Sequence, residues 1–197
     1  ERGALRSREI QEVKKYLTLS LSRMEDSFLE NGLFVNSRLE TWMDTDFHED
    51  DRRGKRIEIQ ALTLEMRRFL SLLTESKDAK EKENTLREKI REVFWNGNYL
   101  RDGSEDDTIR PNLFLAYYLS PDILSVEEWK TCFSTALPKL WCEWGGLTTL
   151  DRDHPLFCKA HTGQNNKSYH RGDSWYFLNN IVGICLLRLC QQETNPF

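Results

Sequence analysis

The stretch IQEVKKYLTLSLSRMEDSF, residues 10–28, places apolar side chains at Ile10, Val13, Leu17, Leu21, Met24 and Phe28. Steps of three and four residues mark one face of a helix. Asn31-Gly32 follows, and a Gly at that point predicts a left-handed C-terminal cap. The same spacing recurs along the chain. Ile59, Leu62, Met66, Phe69 and Leu73 predict a second helix. Leu86, Ile90 and Val93 predict a third, after a charged turn from Glu75 to Glu83. Pro111 suits the first turn of a fourth helix running through Leu113 and Tyr117 to about Leu119. Ser125 with Glu128 three residues later is a capping box, opening a fifth helix faced by Val126, Trp129 and Phe133. Trp175, Leu178, Val182, Cys185 and Leu189 predict the sixth. Sustained period-two alternation is absent, so strands should be few. The expected fold is all-α, with about six helices.

Composition narrows the class further. The 197 residues are 39% hydrophobic and 30% charged, with 10 Gly and 5 Pro, which excludes collagen-like and Pro-rich chains. A chain of this length buries roughly 70% of its unfolded surface, enough for one core, so residues 1–197 read as a single domain. The longest apolar run, Ile181 to Leu187, is too short to cross a bilayer. A net charge of −4 gives no general attraction to nucleic acid or anionic lipid. Five cysteines are an odd number in a chain too long to need staples, which fits reduced thiols and the cytosol. The chain opens on Glu1 with no signal-peptide pattern, which fits a fragment or a processed product.

Three long loops separate the helices: Asn31 to Arg56, Gly97 to Arg110, and Trp141 to Gly172. They carry Trp42, Tyr99, Trp141, Trp144, Tyr169 and the histidines. Long loops rich in aromatics suggest function rather than disorder. The alternation of helix and long loop suits helical hairpins set around an axis, with the loops gathered on one rim.

Two loop clusters stand out. In Thr41-Trp42-Met43-Asp44-Thr45-Asp46 a calcium loop is a poor match, because His48 and Glu49 fall where an oxygen ligand and a Gly are required. Asp50 and Asp51 read as part of a solvated charged loop. Asp44 follows a Trp-Met pair, and apolar neighbours favour the protonated carboxyl that a proton donor needs. The second cluster is Tyr169-His170-Arg171-Gly172-Asp173-Ser174-Trp175, at the mouth of the last helix. Asp173 could be a helix cap. Two loop carboxylates, each flanked by Trp, instead suggest glycoside hydrolysis, in which paired carboxyls act on a sugar stacked against aromatic rings. His154, Cys158 and His161 lack the spacing of a structural zinc site, so no metal or cofactor is expected. Gly-rich phosphate loops and a Gly-x-Ser-x-Gly elbow are absent, and no Cys–His nucleophile pair has local support.

Four segments, taken in order, resemble one family. Thr-Trp-Met-Asp (41–44), Arg53-Gly54-Lys55 leading into Ile57-Glu58-Ile59-Gln60-Ala61-Leu62, Ile109-Arg110-Pro111-Asn112 and Tyr169 to Trp175 resemble, in order, the amylo-α-1,6-glucosidase domain of glycogen debranching enzymes of the archaeal and bacterial type. The resemblance implies an (α/α)6 toroid of twelve helices, of which this chain would be the C-terminal half, with the N-terminal half as a partner. It implies inverting hydrolysis of α-1,6-linked glucose on glycogen or a related α-glucan. Asp44 is then the general acid and Asp173 the general base, where eukaryotic members carry Glu. Trp42, Arg53, Glu58, Arg110, Asn112, His170 and Trp175 would line the glucose pocket. Salt bridges between toroid helices would explain Arg110 and Glu58 equally well. Inversion requires about 6.5–9.5 Å between the carboxyls. The positive end of the last helix would favour an ionised Asp173. A non-catalytic glucan-binding domain, a helical scaffold and a glucoamylase- or trehalase-like glucosidase are the alternatives. A half-toroid should also leave an apolar flank exposed.

Overall fold

The computed structural model describes residues 6–47, 50–163 and 167–194, with side chains to residue 192. His48 and Glu49, on which the calcium-loop reading turns, lie outside these residues. The helices are α1 (Ser7–Phe28), α2 (Ile57–Thr74), α3 (Lys77–Phe94), α4 (Asn112–Leu119), α5 (Val126–Leu140) and α6 (Tyr176–Thr194). The strands among the described residues are the two-residue pair β1 (Leu29–Glu30) and β2 (Leu33–Phe34). The fold is all-α.

Two local expectations change. Asn31 and Gly32, with φ of 54° and 80°, form the turn of the β1–β2 hairpin rather than a helix cap. Both devices need left-handed backbone, and an Asn-Gly pair between short extended segments suits the hairpin. The charged segment 75–83 is mostly helix. Glu75 alone turns left-handed (φ 51°), Ser76 caps α3 by accepting from Ala79 N–H, and the helix proceeds from Lys77. Lys, Glu and Ala are strong helix formers. Pairs such as Lys80–Glu83 and Lys82–Asp78 line one turn above the next.

Helices α2, α4 and α6 lie side by side, with α4 in the middle. Helices α1 and α3 pack on α2, and α5 packs on α6. This two-layer array of hairpins is the half-turn of an (α/α)6 toroid. Apolar side chains enclose α4 on nearly every side, and Leu113, Phe114, Ala116 and Tyr117 are buried. Tyr117 meets Trp129 edge-on at 5.1 Å and Phe114 meets Phe133 at 4.7 Å, tying α4 to α5. Helix α2 leaves Leu62, Phe69 and Leu72 exposed, and α6 leaves Phe177, Ile184 and Leu187 exposed. The five cysteines are free thiols, and no described helix is long and apolar enough to cross a membrane.

The predicted capping box forms and does a second job. Ser125 N–H donates to Glu128 at 2.8 Å, while Glu128 also accepts from Arg91 on α3 at 2.7 Å. The Arg91 guanidinium, aided by Ser125, holds the Glu128 carboxyl at about 2 against an ordinary 4.5. The unfolded chain therefore takes up this proton first. The stability from this group is complete above pH 4.5 and is lost as pH falls toward 2. Glu128→Gln should flatten the acid limb of stability against pH, measured as urea midpoints from pH 5 to 2.5. An unchanged limb would place the acid sensitivity elsewhere.

Candidate active site

The three long loops meet on one side of the helical array and bind each other through buried arginines. Arg52 is the first. Its backbone is left-handed (φ 46°), its side chain is fully buried, and each of its five N–H groups has an acceptor. Nε and Nη2 donate to Asp102, Nη1 and Nη2 to Glu58 at the start of α2, and Nη1 to Thr41 Oγ1, all within 3.1 Å. Burial opposes its charge, but Asp102 and Glu58 outweigh burial and raise its affinity for the proton. Asp102 also accepts from Asn112 Nδ2 at 2.7 Å, and Asn112 Oδ1 accepts from Trp42 Nε1 at 2.8 Å. A chain of directed bonds thus runs from the first loop through the second to the Trp42 ring.

Asp50 is the second hub. It accepts from Arg110 Nη2 at 2.7 Å and is paired with Arg171 Nε at 2.9 Å. Arg110 donates to the carbonyls of His170 (2.8 Å) and Thr149 (3.2 Å), and Arg171 to the carbonyl of Phe47 (2.8 Å). The loop holding Trp42 to Asp44 is thereby clamped to the loop holding His170 to Trp175. The reading of Asp50 and Asp51 as solvated is corrected. Asp50 sits between two buried guanidinium groups, and Asp51 is buried with Arg53 Nε on it at 2.7 Å.

Above this network four predicted residues come together. His170 is fully buried and stacks on Trp175, with centroids 5.3 Å apart and planes 10° off parallel. Trp42 stands edge-on to His170 (5.3 Å), Trp175 (6.0 Å) and Phe177 (5.3 Å). His170 Nε2 lies 3.1 Å from Asp44 Oδ1. Burial lowers the His170 proton affinity against the pull of Asp44, which favours the neutral ring. Its Nδ1 is buried without a hydrogen-bond partner. A bare lone pair costs less there than a bare N–H, which places the proton on Nε2, facing Asp44.

The environments expected of the two carboxylates differ from those found. The Asp44 side chain is 62% exposed. Met43 turns away into the core, with its sulfur beneath Arg110 and Asn112, and gives Asp44 no apolar cover. Asp173 precedes the first residue of α6 by three positions, outside the first helical turn. Its Oδ2 accepts from Ser168 Oγ at 3.1 Å and lies 3.0 Å from His161 Nδ1. Of the proposed pocket residues, Glu58, Arg110 and Asn112 are buried and used within the networks, and Arg53 faces solvent with Asp51. Its neighbour Arg52 has the buried place. Nothing in the sequence marks Arg52 or Asp102 for burial, and the Asp-Asp-Arg-Arg run at 50–53 shows no sign of which members turn inward. Among the described residues no cluster of His, Cys, Asp and Glu suits a metal ion.

Arg52→Met leaves two buried carboxylates without their shared cation and should cost about 3–5 kcal/mol in urea unfolding. Arg53→Met should cost less than about 1 kcal/mol. Equal losses would mean that Arg52 is not the anchor. Gly172 admits no side chain, because a Cβ there would stand 1.9 Å from the Cys158 carbonyl oxygen. Gly172→Ala should destabilise by about 1–3 kcal/mol, measurable in the same titration, and a neutral result would show that this loop yields.

Comparison with known proteins agrees with this architecture. A solved structure described as a sialidase superimposes with a TM-score of 0.69 over 89% of this chain, at 15% identity. The chain spans 17% of that structure's length, and at such identity the likeness concerns the fold alone. No curated protein matches. The profile of the amylo-alpha-1,6-glucosidase family matches residues 13–194, nearly the whole chain and both loop clusters, so the chain belongs to the amylo-alpha-1,6-glucosidase family.

Proposed function

We propose that this chain carries the acid–base site of an inverting glycoside hydrolase acting on α-1,6-linked glucose at branch points of glycogen or a related α-glucan. The observation that carries the reading is the solvent-facing Asp44 carboxyl, within hydrogen-bond distance of the buried His170 at the edge of the Trp42–Trp175 wall. The aromatic wall supplies faces for a sugar ring. Asp44, carrying a proton, gives it to the glycosidic oxygen as the bond to the anomeric carbon breaks. Asp173 takes a proton from water attacking that carbon from the opposite side. The products are β-glucose and a glucan with a free 6-hydroxyl. As Asp44 gains charge, the His170 Nε2–H bond to it strengthens, which stabilises the transition state more than the ground state.

In this reading Trp42, His170 and Trp175 border the sugar, while Glu58, Arg110 and Asn112 act by holding their neighbours. Arg53 would touch a glucan only at the outer margin. The exposed apolar rows on α2 and α6 favour a second set of helices closing the toroid, contributed from outside residues 1–197. Free thiols suit a reducing compartment such as the cytosol. One observation favours the rival reading, a glucan-binding domain without turnover: Ser168 and His161 already engage Oδ2 of the Asp173 carboxylate.

Glucose release from a branched limit dextrin separates the two. Asp44→Asn should lower release by about 100-fold or more, and NMR of the nascent sugar should show the β anomer. Equal release by both proteins would remove Asp44 from the chemistry. Binding of the dextrin with no release by either would favour the rival.

A further inference from the structure

The turn after α5 displays Trp144 with 69% of its surface in water, among the most exposed large apolar residues described. The turn beneath it is held. Trp141 bridges to Leu147, and Cys142 N–H donates to the Gly146 carbonyl at 2.8 Å, closing a tight turn. Gly146 lies directly under the edge of the indole. A Cβ at that position would come within 2.0 Å of Trp144 Cη2 and 2.8 Å of Ser174 Oγ. The ring edge and the Ser174 hydroxyl therefore flank the same point. Asn179 of α6 fixes the two segments together, accepting from Leu147 N–H at 3.0 Å and donating to Ser174 Oγ at 3.1 Å. Asn179 thus ties the turn that carries Trp144 to the segment that holds Asp173 and Trp175, the residues on either side of Ser174.

The geometry points to Trp144 as an outer sugar platform, a binding position for a further glucosyl unit of an α-glucan beyond the Asp44–His170–Trp175 centre. An indole face is apolar with partial negative charge, and it suits the C–H-bearing face of a pyranose. Leaving a Trp in water forgoes the burial that normally stabilises it. The indole edge rests against Gly146, so part of the ring's freedom is already spent before a sugar docks. The proposal rests on the reading that the site takes α-glucan, and it adds where the chain beyond the scissile sugar runs.

The test is calorimetric titration of the full chain with maltoheptaose, a linear α-glucan with no branch to cut. Trp144→Ala removes the ring. Gly146→Ala keeps the ring and unseats it, since the added methyl occupies the place of the indole edge. Both should weaken binding by about tenfold with the thermal midpoint of unfolding unchanged within about 2 °C. Wild-type affinity in both variants would overturn the proposal, as would failure of the wild-type chain to bind maltoheptaose. Asp44→Asn serves as the discriminating control. If it binds like wild type and still releases glucose from limit dextrin, the catalytic reading fails while the platform stands.

Discussion

The guanidinium of Arg52, enclosed by Glu58, Asp102 and Thr41, is the interaction on which the loop side of this protein depends. Every one of its N–H groups is used, and the planar fork matches two carboxylates at once. A lysine could not replace it, having three donors and no fork. Remove the cation and Glu58 is left buried without it, while Asp102 keeps only the longer cationic contacts of Arg56 at 3.3 Å and Arg110 at 3.7 Å. Asn112 would then lose its oriented acceptor, and Trp42 would lose the amide oxygen that fixes its indole N–H. The position of an aromatic ring at the surface is in this way decided by an ion pair in the interior.

Such a network is a weak source of net stability, because desolvating the charges offsets much of their attraction. What it supplies is direction. An apolar contact between loops tolerates sliding, whereas a bidentate pair does not. The second hub repeats the device, with Asp50 taking Arg110 and Arg171 from two different loops. Segments too polar to pack by burial alone are thereby held in one register against the apolar platform of α2, α4 and α6. The left-handed backbone of Arg52 is a local cost of this arrangement.

The helices were legible because their packing is periodic, and packing leaves its period in the sequence. Ile10 to Phe28 and Val126 to Phe133 announce their faces directly, and the Ser125–Glu128 box announces a start. Segment 75–83 misleads because it has hardly any apolar side chains to count, although Lys, Glu and Ala favour helix without them. Asn31-Gly32 misleads because a hairpin turn and a helix cap ask for the same backbone. In the loops the polar network is illegible in principle, since Arg52 and Arg53 are chemically identical and only the fold buries one of them. The likeness of Trp42, His170 and Trp175 to a family motif located a cluster that no periodicity would have shown.

The largest departure concerns the surroundings of Asp44. Sequence adjacency to Trp42 and Met43 suggests an apolar enclosure, yet neighbours along an irregular loop point in unrelated directions, and Met43 is fully buried while Asp44 faces water. The bond from His170 is the other influence, and it orients the carboxyl without covering it. A proton donor placed there would need its cover from something that arrives with the reaction. In the proposed function that cover is the substrate itself: a glucosyl ring laid across Trp42 and Trp175 would exclude water from Asp44, and taking a carboxyl out of water favours its protonated form. The exposure of Asp44 in the free chain is then compatible with acid catalysis, because the environment that makes the acid would be assembled from the rigid aromatic wall and the sugar together.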